Sequence, residues 1–264
     1  MWVSGTGRPP YCGAPPTPAN LWLRWNLDPV LIAVLLAVLA VYLIQARRNG
    51  WSGPRAAAFG AGWAVSAMAL ISPLCALSVS LFAARVGQHM ILTLVGAPLI
   101  ALGAPLRVMS GGRLGDGRQA IAAAVVFAVL LAFWHSPAPY QATFDSPAIY
   151  WAMHLSMIGS AIWLWSAILE ARQPFAAAGA GAIVMLQMGF VGALVTLSPR
   201  ALYGPHLQTT WAFGLSLLQD QQLGGAIMWG PGTLVFLAAA VILLWRGLEH
   251  RPVRAHRLAT ASAR

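Results

Sequence analysis

The apolar run at residues 85–105 contains three polar side chains close together, those of Arg85, Gln88 and His89. Two of them, Arg85 and His89, are ionisable. An ionisable group in hydrocarbon costs about 3 kcal/mol or more, so such residues are candidates for a functional site. Arg85 and His89 are four residues apart and therefore share one face of a helix. Met90, a soft thioether, follows directly. The spacing predicts a helix whose polar face lines a site within the membrane.

A second apolar run carries the same kinds of side chain. Met157 follows Met153 by four residues and His154 by three, so it lies near both of them on a helix surface. Imidazole and thioether are borderline to soft donors, and in the absence of paired thiolates they favour Cu(I), whereas hard cations need carboxylates. Together with His89 and Met90, these residues predict a copper site shared by two helices.

The histidines also allow other interpretations. A histidine pair on two helices could hold haem, or the imidazoles could hydrogen-bond across helices. Methionines at helical spacing are usually packing residues. The chain lacks the several matched histidine pairs of a cytochrome-b bundle, so we favour copper over haem.

Arg85 does not bind metal, but its charge has three possible uses. It favours a neutral imidazole at His89, as a metal ligand must be. It could bind a propionate or phosphate. It could also pair with Asp220, the acid nearest to it in estimated depth. Asp220 itself could cap its own helix or receive a cation at the external mouth.

The composition points to a membrane protein rather than a soluble domain. The chain is 59% hydrophobic and only 8% charged, and all 16 of its basic residues are arginine. A net charge of +10 could suggest nucleic acid, but the arginines fall between apolar runs. We therefore expect anionic lipid headgroups as the partner, and no nucleic acid. Cys12 and Cys75 could capture copper or form a disulfide.

Seven apolar runs, each about 16 to 23 residues long, approach the length that a membrane-spanning helix needs. They predict an all-α bundle of seven transmembrane helices at 29–246, between an irregular external segment at 1–28 and a basic cytoplasmic tail at 247–264. The runs cover residues 29–44, 56–74, 80–102, 119–134, 147–169, 175–197 and 223–245.

Arginine is distributed unequally between the two predicted sides. Twelve of the 16 arginines fall in the first, third and fifth connections and the C-terminal tail. The positive-inside rule therefore places the N-terminus outside and the C-terminus in the cytoplasm. His89 then lies about 13 Å and His154 about 10 Å below the outer surface, so we expect both to face the interior within about 10 Å of each other. His135, His206 and Asp220 are expected above them, at the external mouth.

Several motifs follow one another along residues 26–250. They are I-S-P-L before the third run, Q-H-M with the following A-P-L-x-x-L-G-A-P, W-H-S-P at the end of the fourth, the histidine of the fifth, L-Y-G-P-H after the sixth, and D-Q-Q-L-G-G-A-I-M-W in the seventh. Together they resemble the multi-spanning CtaG family of cytochrome c oxidase assembly proteins. The resemblance implies a role in maturing a haem–copper oxidase and assigns functional roles to His89, His135, His154, Asp220 and Gln221. Arg85 departs from the family, which usually has a histidine there.

The sequence thus predicts a multi-pass protein of the bacterial plasma (inner) membrane that assists oxidase assembly, handles Cu(I) and has no enzymatic turnover of its own. Expected partners are haem–copper oxidase subunits, membrane lipids and copper chaperones. The alternatives are a copper permease or resistance protein and a haem- or quinone-binding redox protein. The candidate metal ligands are His89, His154, His135, Met90, Met153 and Met157. The candidate cofactor-binding residues are Arg85, Gln88, Asp220 and Gln221.

Overall fold

The computed structural model describes residues 9–51, 53–105 and 116–262, with the backbone alone for residue 246 and residues 249–262. This part of the chain is helical and contains no strand, which confirms the predicted all-α class. The α-helices are α1 Pro29–Arg48, α2 Gly53–Ile71, α3 Pro73–Ser80, α4 Phe82–Met90, α5 Ala97–Leu102, α6 Gly117–Trp134, α7 Pro137–Asp145, α8 Pro147–Leu169, α9 Pro174–Leu197 and α10 Leu217–Ser262.

Six spans of the described chain are long and apolar enough to cross a membrane. They are α1, the stretch Phe82–Leu102 that includes α4 and α5, then α6, α8, α9, and Leu217–Trp245 of α10. Helices α2 and α3 pass the same test together but are bent by 50°, so the number of spans is up to seven. The protein is therefore a multi-pass membrane protein.

The bend between α2 and α3 has a local cause. Pro73 begins α3, and the Ser72 hydroxyl accepts a hydrogen bond from the N–H of Leu74. Proline has no N–H to continue the preceding helix and favours the first turn of a new one, while serine caps that turn. The I-S-P-L motif thus ends α2 and redirects the chain.

Helices α4 and α5 are joined by a π-helical turn, Ile91–Gly96. The span predicted at residues 80–102 continues through the π turn and ends at Leu102, as the sequence indicated. Gly96 packs tightly on α2, because a Cβ at this position would lie 2.5 Å from the Ser66 hydroxyl oxygen. Single π turns within α-helices are often found at functional sites.

Several helices extend beyond the apolar runs that predicted them. Helix α1 continues to Arg48 rather than residue 44, and α10 begins at Leu217 rather than residue 223. Hydropathy excluded the polar residues at the start of α10. The structure accommodates two of them, Asp220 and Gln221, by bonding their side chains to neighbouring backbone groups.

The N-terminal segment, defined here as residues 9–28, packs against one end of the bundle. It is irregular apart from the short 3-10 helix Leu21–Leu23. A disulfide joins Cys12 to Cys75 of α3. The Ser80 hydroxyl donates to the Pro16 carbonyl oxygen at 2.9 Å. These bonds hold the segment close to the polar interior.

Candidate functional site

Three histidines from three helices converge inside the bundle. His89 lies on α4, His154 on α8, and His135 directly after α6. The His89 ring centroid is 5.2 Å from that of His154 and 5.9 Å from that of His135. All three side chains are buried, with exposed fractions of 2%, 0% and 6% for His89, His154 and His135. The prediction that His89 and His154 face the interior within 10 Å of each other is confirmed. We call these three residues the histidine cluster.

The expected position of His135 at the external mouth was wrong. Its Nδ1 lies 2.8 Å from the Leu131 carbonyl oxygen, one turn earlier on α6, and this bond holds the ring along the helix instead of outward. The Tyr203 hydroxyl donates to the His135 carbonyl oxygen at 2.8 Å and covers the helix end. His135 therefore belongs to the histidine cluster.

The backbone bonds of two imidazoles determine which ring nitrogen is free. The His154 Nδ1 lies 3.0 Å from the Tyr150 carbonyl oxygen, and the His135 Nδ1 lies 2.8 Å from that of Leu131. A carbonyl oxygen only accepts, so in a neutral ring Nδ1 carries the proton and Nε2 carries the lone pair. Both rings thus have the tautomer in which Nε2 can bind a metal.

Several nitrogens of the cluster have no hydrogen-bond partner. They are Nε2 of His154 and both Nδ1 and Nε2 of His89. An unsatisfied buried polar atom costs about 1–3 kcal/mol, and such an atom in a native structure calls for an explanation. A ligand between the rings would provide one, and the donor set of neutral imidazoles fits a soft or borderline metal ion.

Arg85 is buried in a cage formed mainly by aromatic rings. Its Nη1 donates to the Thr143 hydroxyl at 2.6 Å, and its Cζ lies 4.1 Å from the Phe144 ring centroid. The ring centroids of Tyr140 and Tyr150 are 5.2 Å and 5.7 Å away. The Nε and Nη2 atoms have no hydrogen-bond partner. The cation is therefore held by cation–π contacts and one hydroxyl.

Asp220 does not form an ion pair with Arg85, which was one of the three possibilities for that cation. Its two carboxylate oxygens accept hydrogen bonds from the N–H groups of Phe82 and Ala83, at 2.7 Å and 3.1 Å. These are the first residues of α4, whose own N-cap residue provides no side-chain bond. Asp220 thus caps a neighbouring helix instead of its own, where its negative charge also meets the positive end of the helix dipole. Its contact with a ligand stays a prediction.

Gln88 and Gln221 both bond to the backbone of other segments. The Gln88 Nε2 donates to the Ala69 carbonyl oxygen at 2.7 Å, while its Oε1 has no partner. The Gln221 Oε1 accepts from the N–H of Leu202 at 2.6 Å, and its Nε2 donates to two backbone carbonyl oxygens. These bonds give both side chains a structural role, and their contact with a cofactor stays a prediction.

The candidate methionines are core residues. Met90, Met153 and Met157 are buried within the main apolar cluster of the bundle. This placement is typical of methionines that fill space in a core, and their role as metal ligands stays a prediction. Among the described residues, no group of three or more His, Cys, Asp or Glu side chains is arranged to hold a metal ion. The three histidines are thus neighbouring donors that do not form a closed coordination sphere.

His206 was expected at the external mouth but is fully buried. Its Nε2 and the Tyr140 hydroxyl oxygen are 2.6 Å apart. Burial lowers the pKa of His206 to about 3, and the positive charge of Arg85 acts in the same direction. The segment after α9 therefore forms a packed cover over the bundle end, with a neutral imidazole inside it.

The sequence reasoning missed the aromatic residues around the site. The Tyr150 ring lies 4.1 Å from the His154 ring, and Tyr140 and Phe144 lie on the short helix α7. Helical spacing was the available signal, since Tyr150 precedes His154 by four residues, as Tyr140 precedes Phe144. Hydropathy leaves α7 within a connection, because its nine residues are too few to span a membrane.

One comparison with known proteins covers most of the chain. The family described as cytochrome c oxidase caa3 assembly factor (Caa3_CtaG) matches residues 35–250. No curated protein and no solved structure matches the chain. The matched residues include the whole histidine cluster, Arg85 and Asp220, and leave out Cys12.

Proposed function

The chain belongs to the cytochrome c oxidase caa3 assembly factor family, and on that membership we propose that it assists maturation of a haem–copper oxidase by handling Cu(I) within the membrane. The observation that carries the copper role is the histidine cluster, with its unpartnered nitrogens. Neutral imidazole is a suitable donor for copper, and the buried site excludes competing water.

The three histidines would contribute differently to holding the ion. His135 and His154 present Nε2 lone pairs fixed by their backbone bonds. His89 lies between them, and neither of its ring nitrogens has a bond that would restrain the ring. We propose that His89 with one or both partners, and an exchangeable methionine, binds Cu(I) with moderate affinity. A closed set of four ligands would release the ion too slowly for transfer.

The positive charge of Arg85 favours release of a cation. The guanidinium lies 5.7 Å from the Tyr150 ring, which in turn lies 4.1 Å from His154. Like charges repel more strongly in a low-dielectric interior than in water. We propose that this repulsion weakens the hold on Cu(I) and so aids its transfer to an acceptor.

We propose seven spans in a bacterial plasma membrane, counting α2 and α3 as one, with the N-terminus outside. The histidine cluster then lies in the outer half of the bundle, below the N-terminal segment. Oxidase subunits would receive the ion sideways at a matching depth, and copper chaperones would supply it. The protein would have no turnover of its own.

The test is oxidase activity in strains that carry His89→Ala or His154→Ala. We expect both variants to remain in the membrane at normal levels while oxidase activity in copper-limited medium falls about tenfold or more, since a ligand is lost. Added copper should restore part of the activity. Met157→Leu is the control, because it conserves volume and other methionines can substitute for its sulfur.

Full oxidase activity of both histidine variants at normal protein level would refute copper handling by the cluster. A change in cellular copper or copper resistance that persists without any oxidase would instead identify a permease. A haem spectrum of the purified protein that disappears in the histidine variants would identify a redox protein.

A further inference from the structure

The Cys12–Cys75 disulfide lies next to the histidine cluster. The Tyr150 hydroxyl is 3.3 Å from the Cys12 sulfur and 3.8 Å from the Cys75 sulfur. The ring of the same tyrosine lies against His154, and the centroids of the two rings are 4.1 Å apart. A single tyrosine therefore separates two sulfur atoms from an imidazole with a free Nε2.

We propose that Cys12 and Cys75, once reduced, form a first Cu(I) site that precedes the histidine cluster. This inference rests on the proposed function and names the donors by which copper would reach it. Thiolates are the side chains that select Cu(I) most strongly. The Cα atoms are 5.5 Å apart, so both sulfurs can face one ion.

Loading begins with reduction by an external dithiol. One thiolate of the reductant attacks a sulfur of the disulfide and forms a mixed disulfide, and its second thiol then displaces that sulfur. The reductant leaves as a disulfide, and Cys12 and Cys75 have gained two electrons and two protons. Cu(I) then replaces both thiol protons, which pass to the solvent. The resulting bis-thiolate complex carries one negative charge.

Neighbouring groups are suited to stabilising that negative charge. The Tyr150 hydroxyl and the Asn26 side-chain amide, whose Nδ2 is 3.6 Å from the Cys75 sulfur, are donors already directed at the sulfur atoms. The Arg85 guanidinium lies 5.7 Å from the Tyr150 ring and has two nitrogens without a partner. Nearby donors and cations favour thiolate over thiol. The same cation that repels Cu(I) at the histidines therefore stabilises the anionic complex at the cysteines.

Reduction also removes the covalent attachment of the N-terminal segment to α3. Cys75 is fully buried beneath it, and Cys12 is the residue of the segment that is covalently attached to α3. With the disulfide intact, neither sulfur can bind Cu(I) as a thiolate. A disulfide is stable on the oxidising side of the membrane, where we place this end of the bundle. Copper loading would therefore require a supply of reductant.

The test measures Cu(I) bound by the purified full-length protein in lipid nanodiscs under anaerobic conditions. Cu(I) is supplied as its acetonitrile complex, and a coloured Cu(I) chelator competes for it. We expect protein reduced with a phosphine to bind about one more Cu(I) per chain than oxidised protein. The X-ray absorption spectrum of the reduced sample should show sulfur ligands to copper.

Variants separate this site from the histidine cluster. Cys12→Ser should lose the increase on reduction, whereas His89→Ala should retain it. If Cys12→Ser does not fold, reduced wild-type protein alkylated at both thiols provides the same comparison. Equal Cu(I) binding by oxidised and reduced wild-type protein, or an increase that survives alkylation, would overturn the inference. Full oxidase activity of His89→Ala, with this increase retained, would count against the histidine cluster alone.

Discussion

His206 lies between α9 and α10, yet its side chain is as buried as those of the histidine cluster. Its Nε2 contacts the Tyr140 hydroxyl, and its ring packs edge-on against Phe144 with centroids 5.4 Å apart. A proton on this ring would place a second positive charge in a cover that already lies near Arg85. The imidazole is therefore neutral in the folded protein, with its pKa lowered to about 3.

This burial predicts a loss of stability in acid. The unfolded chain has a histidine pKa of about 6.5. Between that pH and the folded pKa of about 3, the unfolded chain binds a proton that the folded chain does not. The free energy of unfolding must therefore fall as the pH is lowered from about 6.5, by at most about 1.4 kcal/mol per pH unit for this residue.

The measurement is thermal unfolding of His206→Gln and wild-type protein in the same detergent between pH 7 and pH 5. We expect the variant to be less stable than wild type at pH 7 and to lose less stability on acidification. Tyr140→Phe is the control, since it removes the hydroxyl contact but leaves the histidine. A variant as acid-sensitive as wild type would contradict the assignment.

Residue types and spacing identified His89 and His154, but not the true position of His135. Counting residues gives the depth of a Cα atom and ignores the direction of the side chain. Side chains on a helix lean toward its N-terminus. His135 follows the C-terminal end of α6, so its ring points back into the bundle. Thr143, Tyr140 and Phe144, which contact Arg85, could not be predicted either, because they lie on α7, which hydropathy does not detect.

At the scale of helices, the Asp220 side chain links α10 to the first turn of α4. The Asp220 carboxylate binds the N–H groups of Phe82 and Ala83, and α4 carries Arg85 and His89. Local sequence cannot predict such a cap, because its two parts are distant in the chain. The N-cap residue of α4 is Leu81, whose side chain cannot accept a hydrogen bond from the first turn. Without Asp220 the helix would begin with no side-chain cap.

We predict that Asp220→Ala lowers the free energy of unfolding by about 2 kcal/mol or more, because two buried N–H groups lose their acceptor. Asp220→Asn should cost less, since the amide oxygen can still accept one bond. The matched control is Asp116→Ala, which removes an exposed cap at the start of α6 and should cost about 1 kcal/mol or less.

The measurement is thermal or denaturant unfolding of the three variants beside wild type. Equal effects of Asp220→Ala and Asp116→Ala would show that the link between α10 and α4 adds nothing beyond an ordinary cap. A lowered Cu(I) affinity of Asp220→Ala at a temperature where it remains folded would show that the cap also positions His89.

At the scale of the whole molecule, the helical spans could be predicted well and their internal breaks could not. Apolar length alone identified the runs that became α1, α6, α8 and α9. The bend after α2 follows from the short I-S-P-L motif, which apolar length does not register. The π turn before α5 leaves Gly96 packed on Ser66 of α2, a contact between residues distant in the chain. The composition could not predict the disulfide, because a sequence with two cysteines is compatible with either one disulfide or two free thiols.

The unequal distribution of arginine predicts the orientation of the bundle. A phosphatase fused after His206 should be active, and a fluorescent protein fused after residue 264 should fold and fluoresce in the cytoplasm. A phosphatase fused after Arg172 serves as the control and should be inactive. The reverse pattern would place the histidine cluster near the cytoplasmic side and would require a different copper donor.

The π turn Ile91–Gly96 also restricts the insertions and deletions that the chain can accept between His89 and Gly96. In an uninterrupted α-helix, Gly96 would lie on nearly the same face as His89, seven residues earlier. The π turn takes up about one extra residue, so it rotates Gly96 by about 100° toward α2 while His89 stays turned toward its partner histidines. Deleting one residue here would restore a regular helix, but one of the two faces would then point the wrong way. We therefore expect an alignment of the family to show varied amino acids between these two positions but neither insertions nor gaps.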